Sequence, residues 1–230
     1  MPENKRIACL ANSRKLNGRC IAGIELSGNR RLGWIRPVSS REHEEVSEYE
    51  RQYSDGSDPR LLDIIDVPLL EARPKGYQQE NWLLDPQSYW VKAGRISWSE
   101  LVKLTELPEP LWINGDSTYN GANDKIRLEL AESIRSSLRL IHVPILVLSV
   151  FKPGEAFGNS KRRVQARFQY LDCEYRLWVT DPIYERLYLA KPDAEYTLGE
   201  CYLTVSLGES YNEVCYKLVA AIIEKSKVER

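Results

Sequence analysis

The residues of this chain whose types could carry out chemistry are two histidines, five cysteines and a run of carboxylates. His142 alternates with Leu140 and Pro144 in an apolar segment, which predicts a strand histidine that is hydrogen-bonded or faces a rim. His43 lies in an acidic stretch and is expected in solvent. A cysteine nucleophile needs a histidine beside it in space, so Cys9 or Cys20 with His43 is the pairing a cysteine hydrolase would use. Asp55, Asp58, Asp63 and Asp66 offer the raw material of a metal-assisted nuclease, because paired carboxylates hold Mg²⁺. Against that, Asp63 and Asp66 are three apart in a strand-like run and point to opposite faces, while Asp55 and Asp58 sit where aspartate serves local turns. No G-x-S-x-G elbow, phosphate loop, dinucleotide fingerprint or H-E-x-x-H occurs. The expectation is therefore no catalytic residue, no metal and no cofactor. Cys9, Cys20, Cys173, Cys201 and Cys215 show no C-x-x-C spacing and an odd count, which predicts reduced and mostly buried thiols.

Basic turns interleaved with aromatics give a clearer signal. Asn12, Ser13, Arg14, Lys15, Asn17 and Arg19 form one polar, basic turn. Arg30, Arg31 and Arg36 flank Trp34, and the tract Asn159-Ser160-Lys161-Arg162-Arg163 leads into Gln165, Arg167, Phe168 and Tyr170. Cations answer phosphates and aromatic rings supply stacking surfaces for splayed bases. Arg14, Lys15, Arg19, Arg30, Arg31, Trp34, Arg36, Lys161, Arg162, Arg163, Arg167, Phe168 and Tyr170 are therefore the expected nucleic-acid-binding residues. The competing reading makes Trp34, Phe168 and Trp178 core residues and the arginines a solvated face. The net charge of −1 does not oppose a basic surface, because the charge is unevenly spread. Residues 1–41 hold nine Lys/Arg against two Asp/Glu, whereas residues 42–132 hold nine against nineteen. A partner feels the local potential rather than the sum.

The elements that must position these residues read as strands with few helices. Residues 6–11, 19–26 and 31–36 form an opening meander, with turn signals at Asn17-Gly18 and Ser27-Gly28-Asn29. An acidic excursion follows, with one helical turn near residues 44–49. Strand character resumes over 61–70, where Pro68 predicts an edge or a bulge. Ser97 and Glu100 form a capping-box pattern for a short helix over 98–104. The Gly-, Asn- and Asp-rich residues 114–125 are the expected linker. Beyond it lie strand segments within 137–151 and a hairpin of 163–171 and 175–180 turning at Asp172-Cys173-Glu174. A helix then starts at Pro182 and runs to about residue 189, followed by closing strands at 200–207 and 215–223. There is no letter-for-letter repeat, yet each half is a meander interrupted by one short helix.

Several of these segments resemble the bacterial dual OB-containing domain family. The likeness rests on Ile7-Ala8-Cys9-Leu10-Ala11-Asn12-Ser13-Arg14-Lys15, Gly18-Arg19-Cys20-Ile21-Ala22-Gly23 and Gly33-Trp34-Ile35-Arg36-Pro37-Val38-Ser39. It continues through Val205-Ser206-Leu207-Gly208-Glu209 and Cys215-Tyr216-Lys217-Leu218-Val219-Ala220-Ala221 near the other end. The resemblance implies two tandem OB-like small β-barrels in a mainly β chain with a few short helices. It also implies nucleic-acid recognition, with membership of a bacterial conflict or defence module and a protein partner there. It supplies no catalytic residues. The expected domains are an N-terminal barrel over 1–113 with the acidic excursion, the linker 114–125 and a C-terminal barrel over 126–230.

Two alternatives to a non-catalytic binder of DNA or RNA stand beside it. One is a sensor of a small ligand or nucleotide signal, or a partner-binding subunit of a defence or toxin–antitoxin system. The other is the metal nuclease or cysteine hydrolase weighed above. No run of 18 apolar residues and no signal-peptide pattern is present, so the expected compartment is the cytoplasm, away from membranes.

Overall fold

The computed structural model describes residues 2–28, 30–105 and 109–228. The chain divides into two compact units: Met1–Thr105 with Arg135–Ser137, and Glu106–Ile134 with Leu138–Val228. Each is built around a strand sheet.

The first unit contains β1 (Glu3–Lys15), β2 (Gly18–Ser27), β3 (Arg30–Val38), α1 (Glu48–Arg51), β4 (Asp63–Ala72), β5 (Asn81–Leu84), β6 (Val91–Arg95) and α2 (Trp98–Leu104). Its strands run in the order β1-β2-β3-β5-β4, and β4 pairs back onto β1, so the sheet closes on itself. β3 and β5 are parallel and the other ring pairings antiparallel. Closure requires β1 to serve two neighbours, meeting β4 with residues 3–8 and β2 with residues 7–15. A bulge between Cys9 and Ala11 lies where the two pairings change over, and bulges bend strands. Gly23 faces that bend: a Cβ there would lie 2.2 Å from the Ala8 carbonyl oxygen, so only glycine permits the approach. Alternate residues point inward, among them Ile7 and Cys9 on β1 and Ile65, Val67 and Leu69 on β4, around Trp90 and Tyr53. Pro68, expected at an edge or a bulge, lies within a ring strand and directly beside a bulge. β4 pairs with β6 up to Asp66 and with β5 from Leu69, so the missing N–H falls in the gap between them, and a bulge follows at Leu69/Glu71.

Both helices of this unit begin with reciprocal capping boxes, Ser47 with Glu50 and Ser97 with Glu100. The 98–104 helix agrees with its sequence pattern; the earlier helical turn starts at Glu48, later than the acidic stretch suggested.

The second unit contains β7 (Lys125–Arg127), α3 (Leu128–Ala131), β8 (Leu138–Val143), β9 (Leu146–Phe151), β10 (Arg163–Tyr170), β11 (Cys173–Val179), α4 (Pro182–Leu189), β12 (Ala194–Leu198), β13 (Cys201–Leu207), β14 (Val214–Glu224) and α5 (Lys225–Val228). The order is β12-β9-β10-β11-β14-β13-β8, with β11 and β14 parallel and β7 added to β14. β8 and β9 are consecutive, separated by Pro144-Ile145, and they divide the work that β1 does in the first unit. β8 pairs with the penultimate strand β13 and β9 with β10. Proline, lacking an N–H and fixed in φ, breaks the strand where β1 only bulges. Counting β8 and β9 as one bent strand, both units follow the order first-second-third-fifth-fourth-first, with a helix after the third strand. That is the OB arrangement of a small five-stranded barrel, so the repetition lies in topology rather than in letters. The protein is mainly β, with two tandem OB-like folds and, among the described residues, five short α-helices.

The hairpin turn lies at Leu171-Asp172, both at positive φ (47° and 60°), rather than at 172–174. Tyr170 pairs with Cys173, leaving a two-residue primed turn that matches the twist of the strands. α4 begins as its sequence indicates. Asp181 caps it, accepting from Ile183 N (2.9 Å) and Tyr184 N (3.2 Å), and Pro182 occupies the first helical position. Residues 114–125 are part of the second unit. Asn114 Nδ2 donates to Tyr175 OH (2.7 Å), Asn123 Nδ2 to Glu174 O (2.9 Å) and Lys217 N to Asp124 O (2.8 Å). The side chains of Asn114 and Asn123 in this turn-rich stretch thus bond to a strand of that unit.

Candidate nucleic-acid interface

Strand alternation decides which side chains of β9, β10 and β11 meet solvent. Leu148, Val150, Val164, Ala166, Phe168, Tyr175, Leu177 and Val179 turn into the core. Ser149 and Phe151, Arg163, Gln165 and Arg167, and Arg176 and Trp178 have the opposite parity and share the outer face. Two adjoining cavities lie on this face. One, of about 660 Å³, is lined by Arg167, Arg176, Ser149 and Phe151 with Glu195 of β12. The other, of about 410 Å³, is lined by Lys161, Arg163, Trp178 and the β9–β10 loop at Pro153, Gly154 and Asn159. Tyr119 and Asn120 line both.

The 117–123 segment is fixed across this face by hydrogen bonds. Gln165 Nε2 donates to Asn120 O (2.8 Å), and Ala122 and Arg176 bond to each other through their backbones (3.1 and 3.4 Å). Thr118 donates from N (2.7 Å) and Oγ1 (2.5 Å) to Asp124. Gly121 is packed so closely on that carboxylate that a Cβ would lie 1.9 Å from its oxygen. The anchored segment raises Tyr119, a residue 91% exposed. On the floor the Arg163 guanidinium lies 3.9 Å from the Trp178 ring centroid, and Phe151 stacks on Trp178 at 5.8 Å.

Arg167 meets Glu195 at 2.9 Å and Arg176 meets Glu174 at 2.7 Å. Both are solvent-accessible pairs, worth about 0–1 kcal/mol each, so an anionic ligand displaces the carboxylates at small cost. The face can therefore present four cations, a stacked Arg–Trp–Phe array and one projecting tyrosine to a ligand.

The sequence-derived residues distribute unevenly. Lys161, Arg163 and Arg167 lie on this face. Arg162 does not line it: Nε bonds Asp193 (2.6 Å) and Nη1 bonds Leu189 O (2.7 Å), with Lys191 O a further acceptor. Phe168 is 3% exposed and stacked on Tyr175, and Tyr170 packs against the same core. Tyr119, Phe151, Arg176 and Trp178 were not among the expected site residues. The parity of Val164, Ala166 and Phe168 would have pointed to the other face of the same strand.

In the first unit, Arg14 and Arg19 face each other across the β1–β2 hairpin with Lys15 at its tip, placing three basic residues together. Arg31 donates to Thr105 O at 3.5 Å, and the side chain of Arg30 lies outside the described residues. Trp34 is 8% exposed. Arg36 is buried in an ion pair with Glu80 (3.0 Å) and donates to Ser137 Oγ (2.7 Å) and Asn81 Oδ1 (3.3 Å), while Ser137 Oγ also bonds Glu80. Its charge is consumed inside the fold, so it presents no cation at the surface.

The residues considered for catalysis are engaged elsewhere. Asp66 holds Arg6 by two bonds (2.7 and 2.8 Å), Asp58 holds Arg51 (2.9 Å) and Asp55 accepts twice from Ser57 (2.6 and 2.9 Å). Those Ser57 bonds hold the Asp55 carboxyl below its usual range. Asp63 is fully buried against Lys92 (2.8 Å). Among the described residues no three His, Cys, Asp or Glu side chains group as metal ligands. His142 pairs with Glu200 (3.1 Å) at the surface and His43 is exposed. All five cysteines are thiols rather than disulfides, and burial pushes Cys9 and Cys201 up to about 12. Such thiols are poor nucleophiles.

No helix among the described residues is long and apolar enough to cross a membrane. No curated protein and no solved structure matches this chain. The dual OB-containing domain family matches residues 5–222, in keeping with two barrels of one topology, and the chain belongs to that family.

Proposed function

We propose that this protein binds single-stranded nucleic acid, non-catalytically, on the outer face of β9-β10-β11. The observation that carries the reading is the combination of Lys161, Arg163, Arg167 and Arg176 with Tyr119, Trp178 and Phe151 on one concave face. Cations alone would suit any polyanion. Aromatic surfaces among them suit a strand whose bases are splayed, because every base has a π-face to stack and a duplex hides them. The location supports it too, since OB barrels bind oligonucleotides on the face of their second and third strands and the flanking loops. The basic tip Arg14, Lys15 and Arg19 occupies the loop between the first two strands of the other barrel and supplies phosphate contacts there. Membership of a bacterial defence module, with a protein partner, is part of this reading through the family alone.

Fluorescence anisotropy with labelled 12-mers tests it. Single-stranded oligonucleotides are expected to bind more tightly than the matching duplex. Tyr119→Ala is expected to cost about 1–3 kcal/mol of affinity without lowering the melting temperature. Equal affinity for duplex and single strand, or an unaffected Tyr119→Ala, would overturn the single-strand assignment.

A further inference from the structure

We propose that Lys217, buried in the second unit, is a positioning residue for the β9-β10-β11 face: it locks the segment that carries Tyr119. This role rests on the single-strand reading of that face and adds to it a residue that touches no ligand. β14 turns Cys215, Lys217 and Val219 to the same buried side. Lys217 is 1% exposed. Lysine is almost never buried without partners, because an amine taken from water must have its N–H groups answered. An apolar side chain would complete the inward row of β14 without that demand.

The partners of Lys217 say what the amine does. Nζ donates to Ile113 O and to Asn114 Oδ1 at 2.8 Å each, and the backbone N–H of the same residue donates to Asp124 O, also at 2.8 Å. Two N–H groups suffice for the side-chain bonds, so both are made whether or not the amine is protonated. One residue thus grips both ends of the 113–124 stretch, and Tyr119 stands midway between them. Asn114 carries the hold on to β11, through Nδ2 to Tyr175 OH (2.7 Å). Asp124 carries it into the loop, accepting from N and Oγ1 of Thr118, the residue before Tyr119.

Burial makes this grip stronger than the ties at the surface. Bonds of exposed loop atoms compete with water, whereas the Lys217 amine has almost no surface, and a low local dielectric strengthens its bonds. Without the amine, Ile113 O and Asn114 Oδ1 lose that donor. The segment then gains freedom between Leu111, which is held in the core, and β7, which is paired to β14. Tyr119 projects into solvent and takes its position from this backbone. A stacking ring that must first be ordered binds more weakly, because the ordering entropy then falls on the binding step.

Hydrogen exchange of the full chain, with fluorescence anisotropy on a single-stranded 12-mer, tests this. Lys217→Met removes the amine and keeps the stem. Exchange across 113–124 is expected to quicken at least about fivefold, with β9 and β10 unchanged. Affinity is expected to weaken roughly three- to tenfold, and by no more than Tyr119→Ala weakens it. In a Tyr119→Ala background, Lys217→Met is expected to change affinity by less than about twofold. The salt dependence of binding is expected to stay as it is, because no phosphate contact is lost; a general loosening of the face would lower it. Asn114→Leu removes the acceptor from the other side, at a half-buried position, and is expected to give the same pattern. It carries the test if Lys217→Met fails to fold. Equal losses with and without Tyr119, unchanged affinity of a folded Lys217→Met, or unchanged exchange across 113–124 would overturn the role. If the unaltered protein binds no 12-mer, the reading of the face fails, and exchange alone then decides whether Lys217 holds the segment.

Discussion

Arg36 offers a sharp test of structural against functional readings, since its place beside Trp34 in a basic tract suggested a phosphate contact. In the fold its side chain is 5% exposed and that of Glu80 is 3%. Arg36→Ala would leave the Glu80 carboxylate buried with only Ser137, through its N–H and hydroxyl, to answer it. Breaking one side of a buried ion pair costs about 3–5 kcal/mol. At roughly 4 °C per kcal/mol for a unit of this size, the melting temperature of the first unit should fall by at least about 12 °C. Replacing both partners, Arg36→Met with Glu80→Leu, should recover most of the loss, because the desolvation of both charges is removed with their attraction. Thermal melting, with hydrogen exchange of β3 and β5 peptides to localise the effect, measures this. Oligonucleotide affinity of the refolded variants at low temperature should be unchanged. A loss below about 1 kcal/mol together with weakened oligonucleotide binding would refute the reasoning and return Arg36 to the binding surface.

Other consequences can be checked on the same protein. Lys217 is buried, donating to Ile113 O and Asn114 Oδ1 (2.8 Å each), and desolvation lowers its pKa to about 7, with Asp124 opposing. Above pH 7 the folded state is neutral there while the unfolded state keeps its proton, so stability should rise with pH by roughly 1.4 kcal/mol per unit up to about pH 10. Below pH 7 this contribution is flat, and Lys217→Met should remove the slope in pH-dependent urea unfolding. Native protein should react with a thiol reagent at no more than Cys20 and Cys173, the two that are not buried, and denatured protein at all five cysteines; rapid labelling of Cys9, Cys201 or Cys215 would contradict their burial. Phe168→Ala should cost about 3–5 kcal/mol of stability, a core loss, whereas Tyr119→Ala should cost almost none, and urea unfolding of both variants separates a core ring from a projecting one.

Much of the barrel architecture was legible because local signals and tertiary demands agree. Ser97 with Glu100 and Asp181 with Pro182 cap helices as written, and the period of two over 163–170 forms a strand. What the letters hid was long-range pairing. The changeover at Pro68 depends on where β5 and β6 dock, and the role of 114–125 depends on strands distant in sequence. The site was half legible for one physical reason: a tract such as 161–170 says that cations and rings are present, and only the parity of the pleat says which of them meet solvent. Arg163 and Arg167 share a face, while Phe168 belongs with Val164 and Ala166 in the core. Tyr119 carried no sequence signal, because its prominence comes from hydrogen bonds between its loop and β10, β11 and Asp124.

The claim that the β9-β10-β11 face binds single strands through phosphates and stacked bases is tested most directly by salt dependence. Affinity for a single-stranded 12-mer should be measured across salt concentrations for the unaltered protein and for Lys161→Ala, Arg163→Ala and Arg167→Ala combined. Each phosphate contact contributes about 0.7 to the slope of log affinity against log salt. The triple variant should therefore lose roughly 2 from that slope while keeping its melting temperature. An unchanged slope, or the absence of oligonucleotide binding by the unaltered protein at low salt, would contradict the account.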